Sequence, residues 1–126
     1  MTSRVLIIEN DAIARNEIVD ILRERGYLVE QAANGREALQ ALERSVFPPA
    51  VILLDLLLPV MNGWEFRSEQ RNHEQFGQIP VIVMSGDPDV ARHARRLQAA
   101  GYLRKPFGLG SLIRALETSG ATPETC

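Results

Sequence analysis

The sequence contains little of what marks a secreted, membrane-spanning or nucleic-acid-binding protein. Its only cysteine is Cys126, the last residue, so no disulfide bond can form within the chain. No apolar run approaches the roughly 20 residues that cross a bilayer, and the first residues lead into a strand-like run without a signal-peptide pattern. The net charge is −2, which gives no bulk attraction to nucleic acid. These absences favour a reducing, cytoplasmic setting, with no membrane and no direct nucleic-acid partner.

The composition is that of one folded domain. The chain has 126 residues, of which 45% are hydrophobic and 24% are charged, which suffices for a buried core. There are no internal repeats and no long low-complexity segment. We expect one domain over residues 1–119, followed by a flexible polar C-terminal tail at 120–126.

Residues 51–55 read Val-Ile-Leu-Leu-Asp, four apolar residues closed by a carboxylate. Such a run is typical of a strand that is buried on both faces in the middle of a parallel sheet. In open α/β sheets, ligands bind beyond the carboxyl ends of the strands, which is where Asp55 would lie. Taken alone, the run equally allows that Asp55 merely ends a strand.

Strand-like and helical segments alternate along the whole chain. We predict helices that follow each strand, including one over 89–99 that Gly101 ends and one over 109–118. This alternation predicts an α/β fold: a doubly wound, flavodoxin-like, five-stranded parallel sheet of order 2-1-3-4-5 with helices on both faces. The predicted strands are residues 5–8, 27–32, 51–54, 81–84 and 102–104.

That strand order brings several polar residues to one edge of the sheet. Clustered carboxylate and amide oxygens there are suited to Mg²⁺, and an aspartate beside the ion is a candidate phosphoryl acceptor. A lysine would offset the charge that develops on the phosphoryl oxygens, and a hydroxyl would hydrogen-bond one of them. Singly, the Ser-Gly and Lys-Pro pairs read as ordinary turns. The residues concerned are Glu9, Asn10, Asp11, Asp55, Ser85 and Lys105.

Four motifs make the chain similar to a known family. They are the runs 5–11, 53–59, 80–86 and 102–107, together with Gly63 eight residues after the aspartate. With these motifs the chain resembles a response-regulator receiver domain of two-component signalling over nearly its whole length. The resemblance implies that Asp55 takes a phosphoryl group from a phosphohistidine on a sensor histidine kinase or a histidine phosphotransfer protein. It also implies that the chain is no enzyme with an external substrate.

The same resemblance implies roles for further residues. Mg²⁺ would be held by Glu9, Asn10, Asp55 and the backbone carbonyl of Leu57, with Asp11 as a further candidate. Lys105 would be the ion-pairing lysine. Ser85 would be the switch hydroxyl and Tyr102 the switch aromatic. A downstream protein, or a second copy in a homodimer, would bind the face formed by the fourth helix, the fifth strand and the fifth helix.

The sequence departs from the family pattern in two places. The first strand normally ends in an acidic pair whose second member ligates Mg²⁺, but here the pair is Glu9-Asn10. Asp11 follows and would compensate as a ligand, although its residue type favours the N-cap of the first helix. The connection at 98–101 is also about two residues shorter than usual, which puts the position of Tyr102 and the end of the fourth helix in question.

Other classes compete with this interpretation. A flavodoxin-like electron carrier would need a Ser/Thr/Gly-rich phosphate loop after the first strand, and a haloacid-dehalogenase-type phosphatase normally has a second acid where this chain has Leu57. The alternative function is a degenerate pseudo-receiver that binds proteins without being phosphorylated, which Asn10 favours. On the fourth helix, Arg92, His93, Arg95 and Arg96 form either a partner surface or an ordinary solvated face.

Overall fold

The predicted α/β architecture is present. The computed structural model describes residues 3–121 and contains five parallel strands in the order β2-β1-β3-β4-β5, as the alternating pattern predicts. The strands are β1 (Arg4–Ile8), β2 (Leu28–Ala32), β3 (Val51–Asp55), β4 (Val81–Ser85) and β5 (Gly101–Arg104). The helices are α1 (Ala12–Glu24), α2 (Gly35–Arg44), α3 (Gly63–Arg71), α4 (Val90–Arg96) and α5 (Leu109–Thr118).

The central strands separate two apolar layers. Every residue of β3 and of β4 is buried. Because side chains alternate across a strand, Ile52 and Leu54 join Phe66 of α3 in one layer, while Val51 and Leu53 face the other way. The second layer also contains residues of α1 and α5, with Leu22, Leu112 and Leu116 among them. The sheet is therefore fixed from both faces, and its strand ends have little freedom to shift.

Side-chain caps set where three of the helices begin. Asp11 caps α1, and its Oδ1 accepts hydrogen bonds from the backbone N–H of Ile13 at 2.9 Å and of Ala14 at 3.2 Å. Asn34 caps α2, as its residue type predicts. Asn62 and Glu65 form a reciprocal capping box at the start of α3, which the sequence analysis did not identify. The helix axes thus start at defined points next to the strand ends.

The fourth helix is shorter than predicted. It ends at Arg96 rather than at residue 99, and the chain turns at Gln98, whose φ is +52°. Gly101, predicted to end that helix, is instead the first residue of β5 and pairs with Ile82. The turn is stabilised by the buried Arg67 of α3, which donates to the carbonyl oxygens of Leu97 and Gln98. An early helix end thus accounts for the short connection before β5.

The packed structure continues beyond residue 119. Ala121 is buried, and its backbone N–H donates to the carbonyl oxygen of Leu116 at 3.0 Å. The remainder of the predicted tail, residues 122–126, lies outside the described residues. Within residues 3–121, no helix is long and apolar enough to cross a membrane.

The first prediction concerns Gly63, at the start of α3. A Cβ atom there would lie 2.8 Å from both the Asp55 carbonyl oxygen and the Leu56 Cα, which are backbone atoms that cannot move aside. We expect Gly63→Ala to lower the free energy of unfolding by about 1–3 kcal/mol, measured by urea denaturation. Gly86→Ala is the matched control, because a Cβ atom there meets nothing within 4 Å. Equal stability of both variants would contradict this close approach.

Candidate functional site

The strand order brings the predicted polar residues to one edge of the sheet. Ile8 pairs with Leu54, and Asp55 pairs with Met84, so Glu9, Asp55 and Ser85 come at the ends of three adjacent strands. The backbone N–H of Lys105 donates to the Ser85 carbonyl oxygen at 2.8 Å, which places Lys105 at the same edge. Residues that lie up to 96 positions apart in sequence are thereby neighbours.

Lys105 bridges two buried carboxylates. Its Nζ lies 2.5 Å from Oε1 of Glu9 and 2.9 Å from Oδ2 of Asp55. Glu9 is 2% exposed and Asp55 6% exposed, so both acids have left bulk water and depend on this cation. The ion pair between Lys105 and Asp55 that the sequence analysis expected is therefore present, with Glu9 as a second partner.

The environment shifts two pKa values in this cluster. Burial raises the pKa of Glu9, and a hydrogen bond with Asp55 raises it further, while Lys105 opposes the rise. For Lys105, burial acts to lower the pKa, but the hydrogen bonds to Glu9 and Asp55 outweigh burial and raise it. The ammonium therefore stays charged across the neutral range and serves as a fixed positive charge beside Asp55.

Backbone groups hold the two carboxylates from the other side. The N–H of Leu57 donates to Oδ1 of Asp55 at 3.1 Å, and the N–H of Asp11 donates to Oε2 of Glu9 at 3.2 Å. Arg15 of α1 adds a contact that the sequence analysis missed: its Nη1 donates to the Glu9 carbonyl oxygen at 2.6 Å. No local sequence signal marks Arg15, because it reaches the Glu9 carbonyl oxygen, six residues earlier, only once α1 is placed beside the end of β1. These contacts fix the orientation of both side chains.

The remaining predicted residues lie around this cluster. Ser85 is 5% exposed, and its Oγ accepts the backbone N–H of Asp87 at 3.1 Å. Asn10 is exposed, while Asp11 caps α1 through Oδ1. Tyr102 pairs with Val83, two residues before Ser85, and is 49% exposed, so it lies outside the strand-end cluster. The structure thus brings Glu9, Asp55, Ser85 and Lys105 together but leaves Tyr102 pointing outward.

The carboxylates of the cluster fit a magnesium ion that keeps most of its water. Within residues 3–121, no group of three or more His, Cys, Asp or Glu side chains is placed to hold a metal ion. Mg²⁺ does not require such a group, because it keeps several waters and is commonly held by one or two carboxylates. Glu9 and Asp55 converge on one point, the Lys105 ammonium, so their oxygens are close enough to share a cation. The residues therefore fit Mg²⁺ as a well-hydrated ion with few protein ligands.

A cleft of about 470 Å³ opens beside Lys105, between α1 and the start of α5. Glu9 and Lys105 line its polar end, and Ile18, Phe107 and Leu112 contribute apolar walls. The acidic edge of the sheet is thus bordered by an accessible apolar surface.

Comparison with known proteins identifies the family. The family model of the response regulator receiver domain matches residues 5–117, which is most of the chain. The transcriptional regulatory protein PdtaR of Mycobacterium tuberculosis is 34% identical over 115 residues, covering 90% of this chain and 55% of that protein. The chain therefore spans about half the length of that curated relative.

Solved structures agree with the family match. The chemotaxis response regulator CheY4 of Vibrio cholerae superposes with a TM-score of 0.84 at 30% identity, over 94% of this chain and 99% of that one. The receiver domain of the sensor histidine kinase PA1611 of Pseudomonas aeruginosa gives 0.80 at 28% identity, over 96% and 100% of the two chains. That receiver domain was crystallised with a magnesium ion coordinated in its active-site cleft.

The second prediction concerns the bridging cation. Lys105→Met leaves Glu9 and Asp55 buried without a positive partner, so we expect it to destabilise the metal-free protein by about 2 kcal/mol at neutral pH. The loss of Lys105 also removes the contact that lowers the pKa of Glu9, so that pKa rises further above its unfolded value. A carboxyl group with a raised folded pKa destabilises the fold increasingly as pH rises from the unfolded value through the folded one.

The deficit of the Lys105→Met variant should therefore be smaller in weak acid than at neutral pH. The measurement is urea denaturation in EDTA at about pH 5 and about pH 7.5, with wild type at both pH values. A deficit that is the same at both pH values would mean that Glu9 does not take up the proton.

Proposed function

The chain belongs to the response regulator receiver domain family, and from that membership we propose that it is a phosphoacceptor switched by phosphorylation of Asp55. The observation that carries this proposal is the cluster at the strand ends. A buried carboxylate lies 2.9 Å from an ammonium, and a buried hydroxyl ends the adjacent strand. These groups support the proposal because they match the acceptor, the positive charge and the hydroxyl that the family resemblance implies.

The phosphoryl transfer follows from the groups present. A carboxylate oxygen of Asp55 forms a bond to phosphorus as the bond from phosphorus to the donor imidazole nitrogen breaks, and that nitrogen keeps the electron pair. When the other ring nitrogen of the phosphohistidine carries a proton, the products are an aspartyl phosphate and a neutral histidine. The transition state spreads negative charge over the three equatorial phosphoryl oxygens. The Lys105 ammonium, already held beside Asp55, stabilises that charge without having to reorganise.

Mg²⁺ would be held by Asp55, Glu9, Asn10 and the Leu57 carbonyl oxygen. When bound, it supplies positive charge that neutralises the phosphoryl oxygens. Glu9 and Asp55 are the charged members of this set, and Asn10 contributes at most a neutral oxygen. Asp11 already uses Oδ1 as a helix cap, which leaves its second oxygen as the one available to an ion.

The donor in this proposal is a phosphohistidine on a sensor kinase or a histidine phosphotransfer protein. The apolar cleft between α1 and α5 gives such a donor domain a surface to contact beside Lys105, the ion-pair partner of Asp55. After transfer, the Ser85 hydroxyl hydrogen-bonds a phosphoryl oxygen, and Tyr102 turns from its exposed position toward the sheet. The face of α4, β5 and α5 then changes its affinity for a downstream protein or a second copy of the chain.

A pseudo-receiver that works without phosphorylation is the alternative function. The exposed, uncharged Asn10 favours it, because Mg²⁺ affinity depends on how many charged oxygens face the ion. The ion pair between Lys105 and the buried Asp55 favours the phosphoacceptor, because burying a carboxylate beside a cation is costly and is what the proposed chemistry uses.

The third prediction identifies the acceptor. With acetyl phosphate and Mg²⁺, intact mass analysis should show one added phosphoryl group on wild type and none on Asp55→Asn, because the amide cannot form the acyl phosphate. Asp89→Asn is the matched control, since Asp89 lies in the loop after the neighbouring strand and its side chain forms no cap hydrogen bond. Equal labelling of the Asp55 variant would overturn the assignment. An unlabelled wild type would favour the pseudo-receiver.

The fourth prediction concerns the metal ligands. Asn10→Asp adds a charged oxygen, so we expect Mg²⁺ to bind on the order of tenfold more tightly, equivalent to about 1.4 kcal/mol. It should also destabilise the metal-free protein slightly, because it adds a carboxylate next to Glu9 and Asp55. Titration of Mg²⁺ against the fluorescence of Trp64, the only tryptophan, follows both proteins.

Asp11→Asn is the companion variant. If Asp11 is a ligand, this variant loses Mg²⁺ affinity, and if Asp11 is only the α1 cap, affinity stays the same. Unchanged affinity of Asn10→Asp would show that residue 10 does not face the ion.

A further inference from the structure

A chain of hydrogen bonds connects Ser85 to the first turn of α4. The backbone N–H of Asp87 donates to Oγ of Ser85 at 3.1 Å. The two carboxylate oxygens of Asp87 are both engaged: Oδ1 accepts the backbone N–H of Asp89 at 2.8 Å, and Oδ2 lies 3.1 Å from Nε2 of His93. Asp87 therefore connects the hydroxyl at the end of β4 to a side chain of the next helix.

Apart from Asp87, the His93 ring makes one aromatic contact among the described residues. Its ring meets the Trp64 indole edge-on, with centroids 5.3 Å apart and planes at 86°. Its second ring nitrogen, Nδ1, is buried and has no hydrogen-bond partner within residues 3–121. The contact with Asp87 is thus the one polar interaction that orients this ring, and the ring in turn holds Asp87.

The two ends of α4 are held with unequal strength. At the C-terminal end, the buried Arg67 of α3 donates from Nε to the Leu97 carbonyl oxygen at 3.0 Å and from Nη2 to that of Gln98 at 2.8 Å. At the N-terminal end, the contact between Asp87 and His93 involves a carboxylate that is about half exposed. Exposed pairs contribute little and buried charge-assisted bonds contribute more. Val90, the first residue of α4, is buried, so the part that can move is the exposed loop of residues 86–89 before it.

We propose that the contact between the Asp87 carboxylate and the His93 ring holds the Ser85 hydroxyl in its resting position. We call this contact the latch. Asp87 and His93 are positioning residues that act through Ser85, and this role rests on the proposed phosphorylation of Asp55. While the latch is closed, the loop from residue 86 to 89 keeps the Asp87 N–H directed at Ser85. Opening the latch frees that loop.

The expected direction follows from the position of the Ser85 oxygen. This oxygen can accept the Asp87 N–H and donate its own hydrogen at the same time, so the two bonds do not exclude each other. Reorientation of the side chain that moves the oxygen toward a phosphoryl group on Asp55, however, stretches the bond from Asp87 unless the loop follows. A latched loop resists that reorientation, whereas an unlatched loop follows it. Loss of the latch should therefore make the phosphorylated arrangement easier to reach and tighten the binding of a phosphoryl mimic.

The test uses two latch variants, Asp87→Asn and His93→Gln, and two matched controls. Asp89→Asn makes the same change in the same loop, at a side chain that forms no cap hydrogen bond. His73→Gln alters the other histidine of the chain, after the end of α3. Occupancy by beryllofluoride with Mg²⁺ is read from the ¹⁹F resonances of the bound ion. This readout is independent of Trp64, whose surroundings the His93 variant changes.

Both latch variants should bind beryllofluoride about threefold more tightly than wild type, within the range that partly exposed ion pairs contribute. Both controls should match wild type. In the absence of any ligand, the amide resonances of Ser85 and Asp87 should shift in His93→Gln and stay in place in His73→Gln.

The outcomes separate the latch from the proposed function. If wild type binds no beryllofluoride while the amide shifts occur, the phosphoacceptor role fails and the contact between Asp87 and Ser85 stands. If wild type binds beryllofluoride but the latch variants bind it equally tightly and their amides do not shift, the latch is overturned. Weaker binding by both latch variants would overturn it as well, because it would mean that the contact supports the phosphorylated arrangement.

Discussion

The Lys105 ammonium between the carboxylates of Glu9 and Asp55 is the interaction on which the site depends. Two acids that are 2% and 6% exposed would repel each other without it. The three residues lie at the carboxyl ends of β1, β3 and β5, so this one cation is satisfied only when these strands are in register. The cost of burying charge thus couples the order of the sheet to the geometry around Asp55.

The same structure divides into parts that resist change and parts that permit it. The strands beneath the site are buried on both faces, and the C-terminal end of α4 is held by the buried Arg67. The loop of residues 86–89 before α4 is exposed, and Asp87 holds it through hydrogen bonds to Ser85, Asp89 and His93. Under the proposed function, a phosphoryl group on Asp55 would bring about two negative charges. We expect the exposed loop that begins after Ser85 to respond to that charge before the buried strands do.

The sequence allowed the fold to be predicted because its signals are local and periodic. Four apolar residues before Asp55 indicate a buried strand, and alternation of strands with helices limits the sheet order. The early end of α4 was not predictable in this way. It depends on Gln98 adopting φ +52° and on Arg67, a residue 30 positions away, binding the last carbonyl oxygens. The contacts of Arg15 with Glu9 and of Asp87 with His93 also escaped prediction. Each joins residues six positions apart across the turn between a strand and a helix, and only the folded turn brings them together.

The effect of an uncharged residue at position 10 depends on the charges that already lie at this edge of the sheet. The carboxylates of Glu9 and Asp55 and the ammonium of Lys105 together carry one net negative charge. A carboxylate at residue 10 would strengthen the attraction for Mg²⁺ but would add repulsion whenever the ion is absent. Residue 10 is exposed, so water screens part of either effect. Under the proposed function, we therefore expect an amide at this position to weaken metal binding and to relieve the metal-free state, so that Mg²⁺ occupancy limits phosphorylation.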